Sequence, residues 1–224
     1  DTSMTNQEPP LQIRIIPVTP LQQNCSMIWE TKSKKAAMID PGGDIDQLKG
    51  ALEHFDLTLE KIWLTHGHLD HAGAAQTLKE ATGATIEGPH KDDQWLLDEI
   101  EAQGAKYGIQ DGRNCTPDRY LDHGDTLQLG DMVFNVVHCP GHTPGHVVIY
   151  HNEGRMAFVG DVLFQGSIGR TDFPKGNHTQ LIQSITQNLW PLGNDMRFVP
   201  GHGPMSTFGA ERQSNPFVGD QALS

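Results

Sequence analysis

Cysteine is scarce in this chain: Cys25, Cys115 and Cys139 are the only three among 224 residues. An odd, thinly spread set excludes a disulfide-stapled secreted scaffold and suits a reducing compartment. Basic residues are few as well, 16 Lys plus Arg against 28 Asp plus Glu, for a formal net charge of −12. With no Lys/Arg cluster, a nucleic-acid partner is disfavoured. No apolar run approaches the ~20 residues of a membrane span. The first twelve residues are polar and lack the basic-then-apolar order of a leader. The expectation is therefore a cytoplasmic protein with no membrane partner. The length suits one large α/β domain and is short for two. Residues 1–10 are expected to be a tail, with Asp1–Ser3 ahead of Met4 reading in part as a cloning remnant. Residues 11–217 are expected to form the domain and 218–224 a C-terminal tail. No linker or internal repeat is obvious. Gly and Pro, at 24 and 14 residues, suit a fold whose strands end in functional loops.

What stands out instead is Thr65-His66-Gly67-His68-Leu69-Asp70-His71, an H-x-H-x-D-H run that closes the apolar stretch Lys61–Thr65. That stretch reads as a strand, and Ala72–Glu80 reads as a helix stopped by Gly83. Three imidazoles and a carboxylate therefore occupy a strand-to-helix turn, where one short segment can converge on a metal. Neutral imidazole and carboxylate are ligands for zinc, iron and manganese alike. Three more candidate ligands each follow a strand and lie beside Gly or Pro: His142 in Pro140-Gly141-His142, Asp161 after Met156–Gly160, and His202 in Pro200-Gly201-His202-Gly203. Asp40, in Ile39-Asp40-Pro41-Gly42, has the same placement and reads as a carboxylate supporting the ligands from behind. His146 is open between such support and a plain structural role. His54, His90, His123, His138 and His151 read as ordinary surface or core histidines, and Cys139 as a buried thiol.

H-x-H-x-D-H followed by His, Asp and His, each after a strand, resembles the metallo-β-lactamase superfamily over about Ile13 to Phe217. Within it the chain is most similar to the short bacterial glyoxalase II-like (hydroxyacylglutathione hydrolase-like) enzymes. The resemblance implies an α/β fold, a single-domain four-layer αβ/βα sandwich with two divalent metal ions on its open edge. It assigns His66, His68 and His142 to one ion, Asp70, His71 and His202 to the other, and Asp161 as the bridge. Zinc is the first expectation for both, with iron or manganese as alternatives. Two such ions ~3.5–4 Å apart can lower the pKa of a shared water toward ~7. The expected chemistry is direct attack of that hydroxide on a small acyl thioester such as S-D-lactoylglutathione, oriented by Asp70 and with no covalent intermediate. The β-lactamases generally carry Cys or Ser at the bridging position, so Asp161 points away from antibiotic hydrolysis.

Three other functions share this pattern. Persulfide dioxygenases of the superfamily carry a segment like Gly169–Phe173 but use a single iron at positions matching His66, His142 and Asp161. His202 in Pro-Gly-His-Gly-Pro resembles the hydrolase form of the last motif. A lactonase would share all seven ligands, and a non-catalytic metal-binding scaffold would be recognisable by lost ligands, of which there are none. Glyoxalase II proper continues after its last His ligand into a helical domain with basic and aromatic glutathione contacts. Only Gly203–Ser224 follow His202 here, so those contacts have no counterparts and the acyl carrier is left open.

Specificity is less legible. The segment 90–120 holds Trp95, Leu96, Leu97, Ile100 and Tyr107 at partly helical spacing, readable as core packing or as a lid over the metal edge. Phe164, Phe173 and Arg170 follow the bridging Asp161. Arg170 could take a substrate carboxylate or pair with Asp172. Together with Tyr107 these are the candidate substrate contacts. Gln12–Pro17, Cys25–Trp29 and Ala36–Ile39 read as strands. Asp44 is the expected N-cap of a helix burying Ile45, Leu48, Leu52 and Phe55, and Asn177 that of a helix burying Leu181, Ile182, Ile185 and Leu189. Gly130-Asp131 reads as a two-residue hairpin turn. The sequence is silent on oligomeric state.

Overall fold

The computed structural model describes residues 8–224; the first seven residues of the expected tail lie outside the described residues. An antiparallel run opens the fold, with β1 (Leu11–Val18), β2 (Gln23–Glu30) and β3 (Lys35–Ile39) paired in order. α1 (Ile45–His54) then carries the chain back, so that β4 (Thr58–Trp63) lies parallel to β3. α2 (Leu69–Ala72) and α3 (Ala75–Thr82) repeat the crossover to β5 (Thr85–Glu87). This gives a five-stranded sheet in simple sequence order. α4 (Gln94–Leu97) and α5 (Ile100–Tyr107) lead to the second half of the molecule.

The second sheet begins with β6 (Thr126–Leu129), β7 (Met132–His138), β8 (Val147–His151) and β9 (Met156–Gly160), all antiparallel neighbours. A small hairpin of β10 (Leu163–Phe164) and β11 (Ser167–Ile168) and then α6 (His178–Ser184) follow. β12 (Arg197–Pro200) returns parallel to β9, β13 (Ser206–Thr207) closes the edge, and α7 (Phe208–Ser214) ends the regular structure. The six strands run in the order β13-β12-β9-β8-β7-β6.

Three apolar layers hold these parts together. Ile28, Ile39 and Trp63 of the first sheet face Phe134, Ile149, Phe158 and Val199 of the second, with the Trp63 and Phe134 rings 4.9 Å apart. On the outer face of the first sheet, Met27, Met38 and Ile62 meet Leu48 and Leu52 of α1 and Leu78 of α3. On the outer face of the second, Ala157, Val159 and Phe198 meet Leu181, Leu189, Trp190 and Phe208. Helix, sheet, sheet, helix is the four-layer αβ/βα sandwich expected from the sequence. Each large apolar side chain withdrawn from water contributes about 1.5–3 kcal/mol, so the central layer is what holds the sheets face to face. Val218 is fully buried and its carbonyl accepts from the Trp190 indole at 3.3 Å.

Local expectations fared unevenly. Asn177 caps α6, accepting from the Gln180 amide at 2.9 Å, and Gly130-Asp131 turns β6 into β7. Asp44 stands at the start of α1 but does not cap it with its side chain. Its backbone is left-handed, φ 55, and its carboxylate accepts from the Thr19 amide instead. The single helix expected over Ala72–Glu80 is two, broken at Gly73-Ala74, where the Ala74 amide donates to Pro41 rather than to the preceding turn. The strand expected over Lys61–Thr65 ends at Trp63, which frees the next residues to curl into the site. No helix among the described residues is long and apolar enough to cross a membrane.

Candidate metal centre

Every candidate ligand lies just past the end of a strand, and the two sheets aim these ends at one edge. β4 delivers His66, His68, Asp70 and His71, the β7–β8 turn delivers His142, β9 delivers Asp161 and β12 delivers His202. A rigid sheet with short loops is how distant segments are brought to one point with little conformational freedom. The ligand atoms fall into two groups within which all lie less than 4.8 Å apart: His66, His68 and His142 in one, Asp70, His71, Asp161 and His202 in the other. The seven residues singled out in the sequence are thus brought together.

Asp161 joins the groups. Its Oδ2 lies 3.1 Å from His71 Nε2, 3.5 Å from His142 Nε2, and 3.7 Å from both His66 Nε2 and His202 Nε2. Asp70 Oδ2 lies 3.0 Å from His202 Nε2 and 3.6 Å from His71 Nε2. The second ring nitrogens are occupied. His71 Nδ1 donates to Asp40 at 2.8 Å, and His142 Nδ1 donates to the Arg170 carbonyl at 2.7 Å. Such partners fix which nitrogen is free to bind a metal.

The electrostatics suit a cation site. Burial pushes the His66 imidazole well below its ordinary value, with the neighbouring histidines adding to it, and brings His68 down to about 3. Both are neutral bases with free lone pairs. Burial would lower His71 too, but Asp161 and Asp70 outweigh it and hold its imidazole protonated well above 6.5. Burial opposes ionisation of Asp161, yet His71 and the other imidazoles hold the carboxyl well below the carboxylate range. His66 Nε2 and Asp161 Oδ1 are buried with no hydrogen-bond partner. Buried polar atoms rarely go unpaired. With an all-imidazole and carboxylate donor set, these orphaned atoms fit divalent metal ions.

The supporting residues are equally specific. Asp40, left-handed at φ 56, accepts from the Thr65 amide (2.8 Å), the Thr65 hydroxyl (2.6 Å) and His71. His146 donates to the Val147 carbonyl (3.0 Å), accepts from the Asp161 amide (3.1 Å) and stacks on His66 with ring centres 4.3 Å apart.

Above the ligands opens a cleft of about 790 Å³ walled by Leu69, Leu96, Ile100, Phe164, Ile168 and Phe173. The 90–120 segment serves both of its readings: Leu97 and Ile100 are core residues, while Trp95, Leu96 and Tyr107 line the cleft. Arg170 pairs with Asp172 (3.0 and 2.8 Å) and lies over Phe173, 4.6 Å from its ring centre. Of its two sequence readings, the ion pair is the one formed. Sequence reasoning missed Asp93, a fully buried carboxylate that accepts from the backbone of two ligand loops. Its only sequence signal was an acidic pair, Asp92-Asp93, in the segment read as a lid.

The sequence profile described as Metallo-beta-lactamase superfamily matches residues 18–202. The chain belongs to that superfamily. Hydroxyacylglutathione hydrolase GloC of Haemophilus influenzae is 46% identical over 213 residues, covering 95% of this chain and all of that protein. The structure of BLEG-1 B3 metallo-beta-lactamase superposes with a TM-score of 0.85 at 35% identity, covering 92% of this chain and 99% of that one. TTHA1623 in a di-iron-bound form superposes with a TM-score of 0.83, also at 35% identity, covering 91% and 99%. The metallo-β-lactamase fold inferred above from the layers is therefore matched along nearly the whole chain, and the protein is a metallohydrolase with a glyoxalase II-like relative.

Proposed function

We propose that this chain is a dinuclear hydrolase of small acyl thioesters, of the hydroxyacylglutathione hydrolase kind. The observation that carries the reading is Asp161 Oδ2, set 3.1–3.7 Å from four imidazoles drawn from both ligand groups. His66, His68 and His142 would hold one ion and Asp70, His71 and His202 the other, with Asp161 shared. Zinc or iron suits these donors, iron being the metal of one structural relative. When bound, two divalent ions supply an acidified water as nucleophile and positive charge for the developing oxyanion.

The chain's own residues do the rest. Asp70 Oδ2, ionised and partnered by His202, accepts a hydrogen bond from the attacking water and so fixes its direction. The apolar walls of Leu96, Phe164, Ile168 and Phe173 seat the acyl portion and exclude bulk water. A thiolate leaves without a strong general acid, and none is needed. A covalent intermediate has no candidate nucleophile among the cysteines. All three are buried, and burial drives each thiol upward, Cys115 to about 12. These reduced, unpaired thiols also support a cytoplasmic setting.

Completion of the second group by His202 favours this reading over a mononuclear oxygenase. The carboxylate at the bridging position favours it over β-lactam hydrolysis. The test is a comparison on one metal-loaded preparation of S-D-lactoylglutathione, an aliphatic lactone, a β-lactam, and oxygen uptake with glutathione persulfide. The thioester should be turned over best. A larger kcat/KM for the lactone or β-lactam, or stoichiometric oxygen consumption, would overturn the assignment.

A further inference from the structure

Two carboxylates outside the ligand set are buried among the ligand loops. Asp40 reaches Thr65 and the ring of His71. Asp93, in the turn before α4, makes no hydrogen bond to a ligand ring. Its Oδ2 accepts from the Gly67 amide at 3.0 Å and from the Thr143 hydroxyl at 2.7 Å, and its Oδ1 accepts from the Gly145 amide at 2.6 Å. Gly67 lies between His66 and His68, and Thr143 follows His142 directly. The carboxylate therefore ties the His66–His71 segment to the His142 loop at points directly beside the three histidines of the first group.

The contact is built rather than incidental. A Cβ on Gly145 would fall 2.5 Å from the Asp93 amide nitrogen and 2.8 Å from its carboxyl carbon, and one on Gly67 would fall 3.0 Å from the Asp93 carbonyl oxygen. Only glycine lets both loops come this close. All three partners present a hydrogen to Asp93, so an acceptor-only carboxylate satisfies them and an amide of the same shape cannot: its NH2 would face an N–H. The backbone of the same turn adds a further link, with the His90 amide donating to the Gly145 carbonyl at 3.1 Å.

We infer that Asp93 is a positioning residue for the His66, His68 and His142 group, setting the spacing of its two loops so that the three imidazoles converge. This rests on the metal-centre reading above. Outer partners of metal ligands typically change affinity by ~10–100-fold when removed. D93N is therefore expected to weaken the ion of the all-histidine group by that factor and the other ion by clearly less.

The experiment is a titration of zinc into metal-free wild type, D93N and D40N, following the ring ¹⁵N signals of His66, His68 and His142 beside those of His71 and His202. In D93N the first three should respond at about 10–100-fold higher free zinc while the midpoints of the other two move by clearly less. D40N should move His71 most, since Asp40 bonds that ring directly and reaches His66 only through Thr65. A fold that is merely loosened would move both groups together, and that result, or no shift in either, would overturn the assignment. If D93N does not fold, Thr143→Val removes the 2.7 Å contact alone. It should delay the same three histidines by a smaller factor, and unchanged midpoints would overturn the proposal. Failure of the wild type to take up two ions would overturn the metal-centre reading, and this role with it.

Discussion

Asp161 Oδ2 stands 3.1–3.7 Å from imidazoles of both candidate ligand groups. Asp161→Asn keeps the shape but halves the acceptor capacity at that point. It should leave about one ion per chain and abolish most turnover, as read by metal analysis beside steady-state kinetics; full activity with two ions retained would refute the bridging assignment. His71 gives a pH prediction. Its imidazole is held protonated well above 6.5 by Asp161 and Asp70 in the metal-free protein. That ion pairing therefore stabilises the metal-free fold fully below about 6.5 and is lost as pH rises through the raised value. A metal must displace the proton, so affinity should climb by up to about tenfold per pH unit above 6.5 and level off once His71 is neutral. Chelator competition across that range measures it, and a flat profile would contradict it. At this scale the candidate ligands were legible because imidazole and carboxylate carry their chemistry in their identity. Asp93 was not, because its importance lies in what folds against it.

At the scale of elements, the Asn177 cap was readable since it depends only on neighbours in sequence. Asn177→Ala should cost about 1 kcal/mol by chemical denaturation, with metal content unchanged. Asp44 had the same signal, and the Thr19 amide claimed its side chain, a partner 25 residues distant that no local pattern reveals. The 90–120 segment was ambiguous for a physical reason: α4 and α5 bury one face in the core and turn the other to the cleft. Trp95 is the largest side chain on the cleft face, with Lys175 Nζ 4.4 Å from its ring centre. Trp95→Ala should raise KM about tenfold, equivalent to ~1.4 kcal/mol of lost aromatic contact, with kcat and bound metal unchanged. A loss of kcat at constant KM would move Trp95 from the pocket wall into the reacting centre.

The molecule as a whole places its chemistry on the seam between two sheets. The first sheet supplies Asp40, His66, His68, Asp70 and His71, and the second supplies His142, His146, Asp161 and His202. The layer joining them has the fully or nearly fully buried Trp63, Phe134 and Phe158 at its heart. Phe158→Ala should lower stability by about 3–5 kcal/mol. Because both sheets must stay apposed for the ligands to meet, zinc affinity should weaken along with it. The sandwich was legible through the family resemblance that the ligand motifs carry, whereas the position of the cleft walls depended on how α4 and α5 dock and was not. The central claim, a dinuclear centre that hydrolyses acyl thioesters, is tested most directly by kcat/KM for S-D-lactoylglutathione against ions bound per chain, for zinc, iron and manganese in parallel. The account predicts at least ~10⁴ M⁻¹s⁻¹ with one of these metals, reached only as the second ion fills. Two ions bound with a value orders of magnitude lower for every metal would contradict it.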